Sequence, residues 1–204
     1  TSAGILFETD LRLRPNGDSG LLAVSVDSFR DYQLRHAWVW EHQALTRARF
    51  CAGDPAVGAR FEEIRCEILC QQRDLTKLRE EVVAMRRKMV DAHASDSESA
   101  FNLKHDPGGI IDVEFIVQYL VLGHAHRHQR LTGNLGNIAL LRIAAELGLI
   151  PADQAKAAGD AYREYRRLQH AKRLSANPRG RVERDSIARH IAAVNLLWQT
   201  VFGR

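Results

Sequence analysis

Apolar and polar residues alternate through the opening segment 5–14. Its odd-numbered positions are apolar apart from Thr9, and its even-numbered positions end in Asp10, Arg12 and Arg14. A β-strand turns every second side chain to the same face, so this pattern predicts a strand with one acid and two arginines in a row.

A second apolar run, Leu21–Val26, follows a turn that contains Gly17 and Gly20. Two apolar runs separated by a glycine-rich turn are typical of paired strands. We therefore predict a short β piece over residues 1–26.

Beyond residue 26 the apolar positions recur with helical spacing. Leu75, Leu78, Val82, Met85 and Met89 are separated by three and four positions in turn, which predicts a packed helix face with the methionines in the core. Caps, glycines and prolines predict six or seven helices, near 29–52, 57–71, 75–89, 109–128, 134–148, 151–174 and 187–201. The expected fold is mainly α, with a helical domain over 27–204 and a further boundary near 95–105 left open.

Length, charge and apolar content limit the classes of protein. A chain of 204 residues with 45% hydrophobic residues is long enough for one large domain or for one and a half small ones, and its composition is not that of a disordered chain. No apolar run approaches the roughly 20 residues of a membrane helix, so we expect no membrane partner. The net charge of +4 is spread along the chain and gives no reason to expect nucleic acid as a partner. Three cysteines without a paired framework favour a reducing cytoplasm.

The opening of the chain indicates a piece of a longer protein. The first residue is Thr1, there is no secretory signal, and a strand pattern begins within a few residues. We therefore expect further sequence upstream.

The acid and the arginines of the first strand are the first candidate for chemistry. A carboxylate such as Asp10 can hold a divalent metal, and guanidinium groups such as Arg12 and Arg14 can meet phosphate. The alternative is an exposed edge strand with a solvated ion pair. Two-metal phosphoryl or nucleotidyl transfer needs more than one carboxylate, and Asp10 alone cannot supply them.

A second candidate lies where a helix begins at Gly108 and Gly109. Glycines at a helix start let a ligand approach and leave N–H groups pointing outward. Asp112 and Glu114 in the first turns then either form a charged floor under a nucleotide or simply complement the helix dipole.

Three further clusters have a structural explanation beside a functional one. The segment Trp38–Arg49 predicts buried tryptophans or a phosphate-facing arginine, and the basic segment 163–184 predicts a solvated helix end or a binding surface. Cys66 and Cys70 are expected to be small buried residues, and the pair His124 and His128 lacks a third zinc ligand. There is no P-loop and no dinucleotide-binding glycine pattern.

Three segments together resemble one known family, the glutamine synthetase adenylyltransferases. These are 10–20 with Asp-Leu-Arg-Leu-Arg-Pro, 37–49 with Ala-Trp-Val-Trp-Glu-His-Gln-Ala-Leu and Arg-Ala-Arg, and 108–122 with Gly-Gly-Ile-Ile-Asp-Val-Glu-Phe-Ile. Their order and spacing fit across almost the whole chain. The Trp-Glu-His-Gln-Ala-Leu form and Asp112 resemble the C-terminal, adenylylating half of that two-part enzyme, whose other half removes the AMP.

The resemblance implies a fold, an activity and a set of partners. The fold would be the end of a polymerase-β-like nucleotidyltransferase domain followed by a helical bundle. The enzyme would transfer AMP from ATP to a tyrosine of glutamine synthetase, with Mg²⁺ as metal and the PII signalling protein as regulator. Asp10 matches the third active-site carboxylate, which would bind metal and help to take the proton of the tyrosine. From the residue patterns described above, the candidate nucleotide contacts are Arg12, Arg14, Gly108 and Gly109.

Two other hypotheses stay open. The helical region could serve mainly as a docking module for PII or glutamine synthetase, without catalysis of its own. Nucleic-acid binding by the basic C-terminal segment is the third, and it predicts steep salt dependence.

We predict that these 204 residues alone transfer no AMP, because the family's Gly-Ser-x-x-Asp-x-Asp acids are absent from them. A radiolabelled AMP-transfer assay on glutamine synthetase tests this, and adding the upstream segment should restore activity. Transfer by the chain alone would falsify the role given to the missing acids.

Overall fold

The computed structural model describes residues 11, 14–93, 99–174 and 181–203. Within them lie eight α-helices and two short strands. The helices are α1 (Val26–Arg35), α2 (Val39–Leu45), α3 (Pro55–Leu69), α4 (Leu75–Asp91), α5 (Ile110–His124), α6 (Asn137–Glu146), α7 (Ala152–Leu174) and α8 (Ala188–Phe202). The predicted mainly α fold is therefore confirmed.

Side-chain caps explain where three of these helices begin. Ser25 accepts the Ser28 N–H and starts α1, while Asp54 and Asp74 accept N–H groups in the first turns of α3 and α4. Each cap satisfies a donor that has no partner inside the helix.

The predicted strand over Leu21–Val26 is wrong. Residues 21–25 form no strand, and Val26 already belongs to α1 because Ser25 caps that helix. Leu21 and Leu22 are exposed. Of the strand predicted over 5–14, residues 5–10, 12 and 13 lie outside the described residues, and Leu11 is not in a strand.

The two observed strands lie elsewhere. β1 (Ala100–Asn102) pairs antiparallel with β2 (Arg181–Glu183), in a register that places Phe101 opposite Val182. Phe101 is fully buried, so this small sheet anchors the connection between α4 and α5 to the segment before α8.

Several predicted helix limits need correction. The helix predicted from residue 29 to 52 is two helices, since the chain turns at 36–38 and α2 starts afresh where Glu41 accepts the Trp38 N–H at 2.8 Å. The helix predicted to reach His128 ends at His124, and the last helix starts at Ala188 after a 3₁₀ turn over Asp185–Ile187.

Helix α5 is the centre of the molecule. It packs against α2, α4, α6, α7 and α8, and apolar side chains around its whole circumference are buried. A separate small cluster of Leu45, Ile64 and Ile68 lies between α1, α2 and α3. The main core continues from α4 into α5, so packing crosses the region 95–105, and the domain limits given above stay predictions.

A buried ion pair joins α4 to α5. The Arg86 guanidinium donates to the Asp112 carboxylate, and the two residues are only 3% and 4% exposed. Arg86 also donates to the His105 carbonyl oxygen at 2.8 Å, and Asp112 accepts the Gly108 N–H. One carboxylate and one guanidinium thus hold the whole 105–112 turn.

His105 lies on the outer side of this turn. Its ring stacks on His93, with centroids 3.9 Å apart. Burial, followed by the neighbouring charges of His93, Lys104 and Arg86, lowers the pKa of His105 from 6.5 to about 4. The folded protein therefore favours the neutral imidazole.

No helix among the described residues combines the length and the apolar character needed to span a bilayer.

Replacing Arg86 with Met should lower the free energy of unfolding by about 3–5 kcal/mol, because Asp112 would remain buried without its cation. Urea unfolding followed by circular dichroism measures this. The matched control is Arg87→Met on the exposed side of α4, which should change stability by no more than about 0.5 kcal/mol. Equal losses in both variants would contradict the role of the ion pair.

His105 should make stability fall with acidification. Since its pKa is lower in the folded state, its contribution is complete above pH 6.5 and is lost as the pH falls from 6.5 towards about 4. Urea unfolding across this range should show a smaller fall in the free energy of unfolding for His105→Gln than for the unchanged protein, because the variant lacks the contribution of His105. The contributions of the other histidines remain in both proteins. Parallel curves would exclude His105 as a source of the dependence.

Candidate nucleotide-facing surface

Of the first-strand candidates, the structure describes only Arg14. Asp10 and Arg12 lie outside the described residues. The Arg14 side chain is 19% exposed, donates to the Leu11 carbonyl oxygen and lies 3.9 Å from the Asp18 carboxylate. Its Nε is buried and has no hydrogen-bond partner among the described residues.

Arg14 lines a cavity of about 280 Å³ between the 14–15 segment and helices α1, α2 and α3. The apolar part of its lining includes Phe29, Leu45 and Phe61, Arg47 contributes a second guanidinium, and Glu41 contributes one carboxylate. An apolar hollow with two guanidinium groups and one carboxylate suits a flat hydrophobic group that carries charged or polar substituents. We call it the Arg14–Arg47 cavity.

Gln33 adds an orphaned acceptor to this cavity. It is 6% exposed, and its Oε1 has no hydrogen-bond partner within the described chain. The main-chain carbonyl oxygen of Gln33 accepts a hydrogen bond from His42 Nε2 at 2.9 Å. Burial, followed by the charge of Arg73, lowers the pKa of His42. A neutral His42 that donates to the main chain of α1 therefore fixes the position of Gln33.

Arg47 connects the cavity to a second depression. Its Nη1 donates to Asn137 Oδ1 at 2.7 Å, at the first turn of α6. Arg47 and Arg49 line a hollow of about 300 Å³ with Asn134, Leu135 and Gly136. Two guanidinium groups beside the start of a helix form a positively charged surface.

Arg65 holds the segment that carries these arginines. It is 3% exposed, and it donates to the carbonyl oxygens of Leu45, Thr46 and Thr132 at 3.1, 3.0 and 2.8 Å. Burial lowers the pKa of Arg65, an effect opposed by Glu62. The α2 end is thus anchored directly before Arg47.

Sequence reasoning missed Arg65, although a signal was present. The apolar side of α3 includes Phe61, Ile64 and Ile68, and Arg65 falls among them at helical spacing. A cation on an apolar helix face needs buried acceptors, so its position indicates a structural role.

The expectation that Gly108 and Gly109 offer outward N–H groups is wrong. The Gly108 N–H is bonded to Asp112, and the Gly109 N–H is bonded to the Asp106 carbonyl oxygen at 3.0 Å. Both glycines are buried, and Gly108 has φ +88°, where an added Cβ would lie only 2.9 Å from Ile191. A nucleotide contact by these two residues stays a prediction without a free N–H donor to support it.

The structure gives Asp112 and Glu114 structural partners. Asp112 pairs with Arg86, as described above, and Glu114 accepts from the Tyr162 hydroxyl at 3.2 Å. Burial, then the Glu114 charge, raises the pKa of Tyr162, so this phenol stays protonated.

The prediction of buried tryptophans is wrong. Trp38 is 69% exposed and Trp40 is 39% exposed, so neither is a core residue. Trp40 lines the Arg14–Arg47 cavity, whereas Trp38 points away from the core at the start of α2.

Metal binding finds no support in the part of the chain that the structure describes. No group of three or more His, Cys, Asp and Glu residues there could hold an ion. Magnesium binding depends on Asp10, which lies outside that part, and it stays a prediction.

Comparison with known proteins assigns the class. A family model described as Glutamate-ammonia ligase adenylyltransferase matches residues 1–64, and one described as GlnD PII-uridylyltransferase matches residues 76–193. Both descriptions name enzymes that transfer nucleotidyl groups.

Individual relatives identify the family. The bifunctional glutamine synthetase adenylyltransferase/adenylyl-removing enzyme of Aromatoleum aromaticum is 66% identical over 203 residues, and that of Nitrosomonas europaea is 56% identical over 217 residues. Both matches cover 100% of this chain but only 21% and 23% of those proteins. The enzyme of Bordetella bronchiseptica is 59% identical over 98% of this chain. The chain belongs to the glutamine synthetase adenylyltransferase family, and it spans about a fifth of the length of these relatives.

Proposed function

We propose that this chain is part of the unit that transfers AMP from ATP to a tyrosine of glutamine synthetase, within the C-terminal half of a bifunctional enzyme. In the cell it would act in the cytoplasm on nitrogen assimilation, under control of the PII protein. The relatives carry this activity in their names, and Asp10 and Arg14 stand in the segment that matches the family.

The observation that carries the proposal is the shared cavity of Arg14 and Arg47. The family segment that begins at Asp10 leads directly into Arg14, whose guanidinium lines the same cavity as Arg47 of α2. Cations at this point could bind the phosphates of ATP, while the apolar lining accepts the base. Asp10 would help to hold Mg²⁺ and help to take the tyrosine proton, and the metal would supply positive charge beside the transferred phosphate.

Arg47→Gln tests the phosphate contact in the full-length enzyme. Loss of one charge-assisted hydrogen bond, about 1.5–3 kcal/mol, should reduce kcat/KM for ATP roughly 10- to 100-fold. Initial rates of AMP incorporation at varied ATP measure this. Arg35→Gln is the matched control, since Arg35 is exposed on α1 and pairs only with Asp31 in the described chain; its kcat/KM should stay unchanged.

Asp10→Asn in the same enzyme separates chemistry from docking. We expect AMP transfer to be lost while glutamine synthetase still binds, as measured by calorimetry. Loss of binding with chemistry intact on tyrosine peptides after changes in Arg163–Arg181 would favour the docking hypothesis instead.

One observation favours the docking alternative. Leu21 and Leu22 are adjacent in the chain and 74% and 68% exposed, and Trp38 is 69% exposed, so each has apolar surface that a partner protein could cover. The basic segment 163–184 supports the docking alternative less well, because two of its arginines already have partners on their own helix. Arg163 pairs with Asp160 and Arg167 pairs with Glu164, each at 2.7 Å.

A further inference from the structure

Two thiols face one another at the end of α3. The Sγ atoms of Cys66 and Cys70 are 3.9 Å apart, and both residues are half-buried. They line an open cleft of about 700 Å³ together with Glu63, Glu67, His126 and Gln129, so small reagents can reach them. The third cysteine, Cys51, is exposed and lies outside this cleft.

The local backbone permits the two sulfurs to approach. A disulfide needs them at about 2.0 Å, and residues four apart on a helix have Cα atoms near the upper limit of the usual range. Cys70 directly follows Leu69, the last residue of α3, and residues 71–74 are not helical. Cys70 can therefore move towards Cys66 without breaking an interior turn of the helix.

The surroundings distinguish the two thiols. Cys66 is in contact with Gln129 Nε2 at 3.5 Å and with Thr132 Oγ1 at 3.9 Å, both of which are polar groups at the cleft. Burial, followed by the charge and hydrogen bond of Cys66, raises the pKa of the Cys70 thiol to about 11. Cys70 therefore stays protonated near neutral pH and is poorly suited to react first.

We propose that Cys66 and Cys70 form a reversible oxidation site that a hydroperoxide converts into an intrachain disulfide. The Cys66 thiolate attacks the terminal oxygen of the hydroperoxide; an S–O bond forms, the O–O bond breaks, and the departing alkoxide takes a proton to become an alcohol. The Cys70 sulfur then attacks Cys66; the S–S bond forms, the S–O bond breaks, and hydroxide leaves as water with the Cys70 proton. Two electrons pass from the thiols to the peroxide.

The disulfide would also change the neighbourhood of the candidate site. Oxidation of Cys66 would remove the thiol that now contacts Thr132, and the carbonyl oxygen of Thr132 is one of the three acceptors of Arg65. The chemical inference does not depend on the proposed function.

Hydrogen peroxide treatment of the whole chain, followed by alkylation and trypsin digestion, tests the inference. Cleavage after Arg65 and Arg73 releases both thiols on the single peptide 66–73, whereas Cys51 lies on the separate peptide 50–60. We expect peptide 66–73 to lose two hydrogen atoms and its alkylation sites, and dithiothreitol to restore them. Peptide 50–60 should remain alkylated.

Single variants give the order of events. In Cys70→Ser, Cys66 should accumulate as a sulfenic acid that dimedone traps; in Cys66→Ser, Cys70 should remain a free thiol under the same dose. Cys51→Ser is the matched control and should form the disulfide at the unchanged rate. Dialkylated peptide 66–73 after peroxide, cysteine sulfonate in place of the cross-link, or disulfides between chains through Cys51 would each overturn the proposal.

Discussion

The buried pair of Arg86 and Asp112 sets the geometry of the central helix. Asp112 lies in the first turn of α5 and takes both a guanidinium and the Gly108 N–H, while Arg86 reaches from α4 to the His105 carbonyl oxygen. Tyr165 of α7 donates to the Gly108 carbonyl oxygen at 2.9 Å, so three helices meet at one turn. A charge buried here costs free energy unless every partner is in place, and the turn consequently has little freedom to adopt another path.

This requirement explains the adjacent glycines better than ligand binding does. Gly108 adopts a left-handed conformation against Ile191, and a Cβ on Gly109 would lie 2.7 Å from the Leu103 carbonyl oxygen. Their lack of a side chain serves close packing between the 103–109 turn and α8. The same pattern that resembles a phosphate-binding turn is here used to bring main chains together.

A second buried cation, Arg65, joins α3 to the end of α2 and to Thr132. It donates to carbonyl oxygens at the end of α2 and to the carbonyl oxygen of Thr132. The chain directly after these two points carries Arg47, Arg49 and residues 134–136, which line the hollow of about 300 Å³. Asn137, Tyr162 and Glu114 continue the polar contacts inward to α5. Arg65 therefore fixes the main chain directly before Arg47, and a cation held in position binds an anion at a lower entropic cost.

Much of the fold could be predicted from the sequence, because helix signals are local. The apolar stripe of 75–89, the position of Pro151 and the apolar length of α5 predict helices at almost the observed places. The family resemblance likewise depends on contiguous segments. By contrast, β1 and β2 pair residues about 80 positions apart, and neither three-residue strand has a signal of its own. The segment Leu21–Val26 consists of residues that favour strands, yet Ser25 caps α1 and Val26 is therefore the first residue of that helix.

The sequence by itself determined the helical class, the family and the residue types able to bind phosphate or metal. Only the tertiary structure decided which of these lie together: Arg14 with Arg47 at one cavity, and Asp112 with Arg86 in the core. The reason is physical, since a helix or cap depends on neighbours within a few residues, whereas burial and pairing depend on contacts between elements far apart along the chain.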